Sequence, residues 1–237
     1  MNNLKAIVVL FAAAVCVGCS SIKPGNAGKN LFTGTIVYNV EVIGKDNHPL
    51  PGKNKRDLLG NEMAFTIFKN GDVQMKYAGT SIEGYDVQYI SLEQSKVLEK
   101  YKSSDTTYIK NASILNFVKL NDLRVGKDTE TAVLNYKCKN VAIAAQEIDG
   151  LSYERQFLNI NYWYSEDIKI DKSKYGKINN NLWSYFMNKS DGSVYLKYEL
   201  DYFTHKIVYT AKEIKPKNYI HVFDENNPPP IPIGTLK

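Results

Sequence analysis

The stretch Thr35–Ile43 reads TIVYNVEVI, and its side chains alternate in character. The even-numbered positions carry only Ile, Tyr and Val, whereas Thr, Asn and Glu stand at odd-numbered ones. Because successive side chains of a strand point to opposite faces of a sheet, this pattern predicts a strand with one buried face. A strand of this kind requires partner strands elsewhere in the chain.

The clearest partners flank Asn70-Gly71, which separates Phe65–Phe68 from Val73–Tyr77. Asn-Gly between two alternating runs is a strong hairpin signal, because both residues tolerate the positive φ of a type I′ turn. Similar runs predict further strands at Tyr85–Leu92, Val97–Lys102, Thr106–Lys110, Thr131–Ala145, Phe157–Ser165, Val194–Asp201 and Lys206–Ile214. Ile114–Val125 is ambiguous, and Asn179–Asn188 has the spacing of a short helix.

Strands therefore follow strands without helical crossovers, which indicates antiparallel pairing. The 237 residues suffice for one β-rich domain, and no linker divides the body. We expect a mainly β fold: a single curved antiparallel sheet with one or two short helices. The 17 tyrosines fit such a sheet, because tyrosine is favoured on strand surfaces that are partly buried and partly exposed to solvent.

The amino terminus carries an export signal. One lysine, Lys5, precedes an apolar run at Ala6–Val17, which has the length of a signal-peptide core and is too short to span a bilayer. Val17-Gly18-Cys19 then resembles the bacterial lipobox, although Cys16 stands where that motif usually has an aliphatic residue. The resemblance implies a diacylglyceryl cysteine at Cys19, with palmitate or similar acyl chains. An ordinary secretory leader or an uncleaved anchor is the alternative.

These segments predict four parts of the chain. Residues 1–18 are a lipoprotein signal peptide, 19–32 a flexible tether, 33–224 the β domain and 225–237 a Pro-rich tail. The tether lacks an acidic run after Cys19, which favours a periplasm-facing position at the outer membrane of the cell envelope. Cys138 would then be the single free thiol, and its alternating surroundings predict a buried, inert cysteine.

Charge and motifs exclude several function classes. The net charge of +5 is scattered, and no basic stripe interleaved with aromatic residues indicates nucleic acid. His48, His205 and His221 have no partners at metal-ligand spacing, and Glu166-Asp167 cannot form a dyad because adjacent strand residues face apart, so a turn at the strand end is favoured there. We expect no enzyme activity, no metal and no cofactor.

Two segments resemble a family of Bacteroidetes envelope lipoproteins. Leu134–Val141 (LNYKCKNV) is similar to a Gly-Tyr-Lys-Cys-Lys strand of that family, with Asn135 in place of Gly, and Tyr162–Ile168 (YWYSEDI) is similar to its Trp-Tyr stretch. Proteins of this kind are similar to LolA and LolB, the lipoprotein carriers. The resemblance implies an unclosed half-barrel around a hydrophobic cavity.

The sequence thus favours a non-enzymatic lipoprotein held to the membrane through lipid on Cys19, with a lipid or other hydrophobic ligand in the concave face of its sheet. The residues expected to line that face are Tyr38, Val40, Phe65, Ile67, Met75, Tyr77 and Trp163. Two alternatives stay open at this point. One is a structural or interaction module that binds an envelope protein partner, and the other is a glycan-binding lipoprotein.

Overall fold

A computed structural model describes eight stretches of the chain: residues 31–45, 59–81, 84–112, 118–125, 131–147, 158–175, 178 and 183–220. The first six strands are β1 (Gly34–Gly44), β2 (Glu62–Ile67), β3 (Val73–Tyr77), β4 (Tyr85–Ser91), β5 (Lys96–Tyr101) and β6 (Thr107–Asn111). The others are β7 (Val118–Val125), β8 (Thr131–Val133), β9 (Tyr136–Glu147), β10 (Leu158–Lys169), β11 (Ser193–Asp201) and β12 (His205–Pro216). A 3-10 turn at Lys172–Lys174 and helix α1 (Trp183–Lys189) lie between β10 and β11.

All strand pairs that the structure describes are antiparallel, and eleven strands form one series: β6-β5-β4-β3-β2-β1-β12-β11-β10-β9-β7. Strand β8 pairs only with the beginning of β9. The first and last parts of the chain meet at the β1–β12 pair in the middle, while β6 and β7 stand at opposite ends of the series. Within the described residues the sheet is therefore open.

Contacts across the inner side show that the sheet is curved. Phe65 on β2 stacks on Tyr195 of β11, with ring centroids 5.8 Å apart, although β1 and β12 lie between these strands. In a flat sheet the two strands would be about 14 Å apart, since neighbouring strands are separated by about 4.8 Å. The open, curved antiparallel sheet with one short helix confirms the predicted fold class. We call the face that carries these rings the inner face.

Two turns differ from the sequence prediction. Gly71 has φ +95°, but Asn70 has no positive φ, and Gly71 N–H donates to the Phe68 carbonyl at 2.9 Å. The β2–β3 connection is therefore a type I turn closed by a left-handed glycine, and the predicted type I′ turn is wrong. A type I′ loop occurs instead at Leu134-Asn135, with φ +50° and +67°, inside the run predicted as one strand.

Strand β10 also extends further than expected. Glu166-Asp167 lies within it instead of in a turn at its end, and Glu166 is paired with Lys139 of β9 at 2.8 Å. Of the segment that was ambiguous in the sequence, residues 118–125 form β7.

A buried carboxylate organises the β2–β3 turn. Asp72 is 1% exposed; it accepts hydrogen bonds from the Leu92 N–H at 2.8 Å, the Asn70 amide at 2.8 Å and the Tyr89 hydroxyl. It thereby ties the β2–β3 turn to the β4–β5 turn. Tyr175 approaches from the 3-10 turn and donates to the Gly71 carbonyl at 2.6 Å.

We expect Asp72→Ala to lower the free energy of unfolding by about 2–4 kcal/mol, because it leaves the buried Leu92 N–H and Tyr89 hydroxyl without their acceptor. Urea unfolding followed by circular dichroism measures the change. The matched control is Glu93→Ala in the neighbouring turn, whose exposed side chain predicts a change within about 0.5 kcal/mol. Equal losses in the two variants would contradict this role of Asp72.

Candidate functional site

The centre of the inner face is an aromatic cluster. Strand alternation and register place tyrosines from β1, β10, β11 and β12 on this side, and α1 adds two rings from above. Tyr198 and Tyr209 stack at 4.1 Å with an interplanar angle of 5°, and Tyr195 lies 4.8 Å from Tyr198. The aromatic cluster comprises Tyr38, Phe65, Tyr162, Tyr195, Tyr198, Tyr209, Trp183 and Phe186.

Two phenol groups of this cluster have hydrogen-bond partners inside the protein. Tyr38 donates to the Tyr195 carbonyl at 2.7 Å, and Tyr198 contacts the Met63 sulfur at 3.7 Å. Burial raises the pKa of Tyr38, Tyr195 and Tyr198 well above the usual tyrosine value. These hydroxyls therefore stay protonated at physiological pH, and their contribution is packing and internal hydrogen bonding.

Helix α1 closes the cluster from the inner side. Phe186 lies 4.5 Å from Tyr162, and Trp183 lies 5.5 Å from Phe65 and 5.4 Å from Tyr195. Tyr38 and Phe65 are fully buried, whereas Tyr198 is 9% exposed and Trp183 is half-buried. The rings beneath α1 thus pack closely against one another.

The structure brings six of the seven predicted lining residues to the inner face. Tyr38 and Val40 come from β1, Phe65 and Ile67 from β2, and Met75 and Tyr77 from β3. The strand register aligns them: Phe65 pairs with Ile36 of β1 on one side and with Met75 of β3 on the other, and Met75 pairs with Gln88 of β4. Of these six, Met75 is half-buried, whereas the other five are buried.

Trp163 lies on the other face. Its strand partners are Asn140 and Lys197, and the Lys197 ammonium stands over its ring at 4.5 Å. The neighbouring Tyr162 and Tyr164 point to the inner face and contact Phe186. The prediction that Trp163 shares a face with Tyr38 therefore does not hold for this structure, because adjacent strand residues face apart.

The inner face continues over β3–β6 to the edge of the sheet. Cross-strand partners form one row across it, and polarity rises along this row from the centre to the edge: Ile36, Phe65, Met75, Gln88, Glu99, Tyr108. Glu99 is 3% exposed and Met75 is half-buried, while Tyr108 at the edge is 48% exposed. We call this row and the rings beside it the edge site.

A buried ionic network forms the polar part of the edge site. The Glu99 carboxylate accepts from the Gln88 amide at 3.1 Å and from the Tyr101 hydroxyl at 3.2 Å, and it pairs with the Lys110 ammonium at 2.5 Å. Lys110 is more exposed than Glu99, so its charge is the part that a ligand can reach. The sequence analysis missed this group, because Gln88, Glu99 and Lys110 are adjacent only through the register of three strands.

Tyrosines flank this network and connect it to the core. Tyr77, Tyr85, Tyr101 and Tyr108 meet edge to face in succession, with centroid distances of 5.8, 6.2 and 5.3 Å. The edge site thus combines an aromatic wall with one buried ion pair. Such a surface fits a molecule that has an apolar body and a polar end.

Cys138 is buried, and burial raises the pKa of its thiol. His205 is also buried and stacks on Tyr202 at 5.0 Å. Cys19, His48 and His221 lie outside the described residues. In the part of the chain that the structure describes, no helix has the length and hydropathy needed to cross a membrane.

The sequence matches no protein-family profile and no curated protein. One similar solved structure is that of the lipoprotein LppX from Mycobacterium tuberculosis. The two chains are 9% identical, the match covers 78% of this chain and 89% of that one, and the TM-score is 0.34. A likeness at this level decides neither family membership nor function, so the functional argument has to come from the residues themselves.

Proposed function

We propose that this chain is a non-enzymatic envelope lipoprotein that is tethered through acyl chains on Cys19 and binds a hydrophobic ligand with a polar end at the edge site. Its place is at the outer membrane, facing the periplasm. The apolar run at Ala6–Val17 followed by Gly18-Cys19 supports the tether. Two or more acyl chains on one cysteine would make membrane attachment effectively permanent, since each buried CH₂ contributes about 0.8 kcal/mol.

The row of side chains across β3–β6 carries the ligand proposal. Its members change from the half-buried thioether of Met75, through the buried Gln88 and Glu99, to the Lys110 ammonium and the exposed ring of Tyr108 at β6. Acyl chains would lie along Met75 and Tyr77, and a polar or anionic end would reach the Lys110 ammonium. This arrangement supports lipid-like ligands with one head group more than uniformly apolar ones.

Native mass spectrometry of the lipoprotein purified from its own envelope tests ligand binding. We expect a second, non-covalent mass that corresponds to a co-purified lipid. A direct assay uses cis-parinaric acid, a fluorescent fatty acid with one carboxylate. Met75→Glu should weaken its binding by tenfold or more, because a carboxylate at the half-buried position must be desolvated beside the fatty acid.

The matched control is Trp163→Ala, which removes a large ring from the outer face and should leave the affinity unchanged. Absence of both a co-purified lipid and cis-parinaric acid binding would contradict carriage. Equal weakening by the two variants would also contradict the edge site.

Cys19→Ala tests the tether. We expect the variant to lose the acyl mass of the mature amino terminus and to leave the membrane fraction after alkaline carbonate washing. The fraction retained should fall by more than tenfold, because one thiol provides all of the acyl attachment. The control is Cys138→Ala, which removes the buried thiol of β9 and should leave membrane retention as in the parent. A Cys19→Ala protein that fractionates with membranes as the parent does would refute the tether.

A role as an interaction module that binds an envelope protein is the second candidate. The packed cluster under α1 favours it, because the rings of this cluster, among the described residues, already pack against one another and against α1. Strand β6 is at the edge of the sheet, and its side chains Tyr108 and Ile109 are exposed, so a strand of a partner protein can pair with it. Native mass spectrometry distinguishes the candidates, since a protein mass in place of a lipid mass supports this second role.

A further inference from the structure

Several segments of the chain meet at the end of the sheet where β1 begins. Register places the start of β1 beside the end of β12, the β2–β3 turn and the end of β10. Phe32 N–H donates to the Lys169 carbonyl at 2.7 Å, so the chain enters the sheet next to β10. The 3-10 turn and α1 follow β10 in the chain. In the segment after β12, the Tyr219 carbonyl accepts a hydrogen bond from the Lys69 N–H at 2.9 Å. We call this the tether end, because residue 31 is the point at which the described chain begins.

Exposed apolar side chains lie on three segments that reach the tether end. Leu31 is 57% exposed, Tyr185 on α1 is 41% exposed, and Ile220 after β12 is 78% exposed. They come from three separate segments of the chain. Aliphatic side chains combined with tyrosine are typical of surfaces that meet the interfacial region of a bilayer.

Exposed lysines surround these side chains. They are Lys69 in the β2–β3 turn, Lys172 and Lys174 in the 3-10 turn, Lys189 at the end of α1, and Lys217 after β12. Lysines close to an anionic leaflet each contribute about 1 kcal/mol of attraction. Together with the apolar side chains they match a surface of anionic phospholipid head groups.

Carboxylates at this end are largely engaged within the protein. Asp191 pairs with Lys169 at 2.8 Å and with Lys172, and these two lysines hold the pKa of Asp191 down to about 2. Asp171 accepts from the Ser173 N–H at 3.1 Å as the cap of the 3-10 turn. Glu93 in the β4–β5 turn and Asp167 near the end of β10 are exposed and are opposing charges. Among the described residues of this end, the five exposed lysines outnumber these two carboxylates.

We propose that the tether end is a docking surface for the anionic phospholipid bilayer to which the protein is anchored. The inference rests on the proposed lipid at Cys19. Eleven residues lie between Cys19 and Leu31, and this connection can span about 40 Å, so the tether alone does not orient the domain. Contacts of lysines and apolar side chains with head groups supply that orientation. The domain then stands with α1 against the membrane and with the opposite ends of β1 and β3 away from it.

The test uses the acylated full protein in vesicles of phosphatidylcholine with or without phosphatidylglycerol. A donor dye is attached at Asn188→Cys on α1, or at Asp105→Cys beyond β5, and the acceptor is a rhodamine lipid. Both positions are exposed and lie near opposite ends of the sheet. We expect energy transfer from position 188 to exceed that from position 105 at least twofold in vesicles with phosphatidylglycerol, because the eleven residues of β1 span about 36 Å.

Charge reversal at the tether end should remove this difference. The variant Lys69→Glu, Lys189→Glu, Lys217→Glu is expected to lower the ratio of docked to undocked protein about a hundredfold, since each lost lysine contributes about a fivefold factor. The control reverses three lysines nearer the other end, Lys76→Glu, Lys100→Glu and Lys102→Glu, and should keep the difference. High salt should also reduce it.

Equal transfer from the two positions, or a difference that is the same without phosphatidylglycerol, overturns the docking surface. So does a tether-end variant that behaves as the control does. Failure of the tether itself is recognised separately, because a protein without the acyl mass does not remain with floated vesicles. That result overturns the proposed anchoring and this inference together.

Discussion

Replacing Phe186 by alanine is expected to lower the free energy of unfolding by about 3–5 kcal/mol. Phe186 is fully buried, and its ring contacts Tyr162 at 4.5 Å, Tyr195 at 5.7 Å and Tyr164 at 5.9 Å. The helix that carries it has only seven residues, too few for stable helix formation without packing. Loss of this ring therefore removes the main contact of α1 with the sheet and leaves a void over three tyrosines.

The control for this prediction is the preceding residue. Tyr185 lies on the same helix but is 41% exposed, so Tyr185→Ala removes an aromatic ring of similar size at little cost, within about 1 kcal/mol. Urea unfolding monitored by circular dichroism measures both variants. If Phe186→Ala cost no more than Tyr185→Ala, the assignment of α1 as the cover of the aromatic cluster would be wrong.

Strand positions were predictable from the sequence wherever alternation was local. Thr35–Ile43 was predicted and β1 spans Gly34–Gly44, and β4, β5, β11 and β12 agree similarly with their predicted ranges. These strands expose one polar edge or turn to solvent, so the two-residue period is visible in the chain itself. Most of the sheet order follows because consecutive antiparallel strands pair with each other, but the pairs β1–β12 and β7–β9 join strands that are not consecutive.

Turn chemistry was less predictable, because positive φ depends on the whole connection. Asn70-Gly71 suggested a two-residue loop, but the Asp72 carboxylate binds Leu92 and Asn70 and stabilises a longer turn with one left-handed glycine. Leu134-Asn135 forms the two-residue type I′ loop although leucine is unusual there. Pairing of Val133 with Tyr136 determines that geometry, and it is not visible from the dipeptide.

The face of a strand was the harder part of the candidate site. Tyr162, Trp163 and Tyr164 are all aromatic, so the local pattern cannot tell which of them points inward. Register with Tyr198 and Val141 decides it in favour of the tyrosines. Glu99 was missed for a similar reason, since its partners Gln88 and Lys110 lie eleven residues away on either side. Cys19 lies outside the described residues, and its role stays a prediction.

Alkaline pH should unfold the protein cooperatively between about pH 11 and pH 12. Burial raises the pKa of Tyr38, Tyr162, Tyr175, Tyr195 and Tyr198. In the unfolded chain these five phenols ionise near pH 10, whereas in the folded chain they stay neutral. Above pH 10 the unfolded state therefore holds fewer protons, so stability that is fully present below pH 10 is lost as the pH rises.

Each such phenol removes about 1.36 kcal/mol per pH unit once its unfolded form is ionised, which makes about 7 kcal/mol per unit for five. Domains of this size are stable by roughly 5–15 kcal/mol, so one to two units above pH 10 are sufficient. Phenolate absorbance and far-ultraviolet circular dichroism should then change together. Tyr38→Phe should reduce the steepness by about one fifth, and Tyr108→Phe, at an exposed position, should not change it. Gradual ionisation of all tyrosines near pH 10 with the strand signal intact would mean that the inner face admits water and hydroxide, which contradicts a packed aromatic cluster beneath α1.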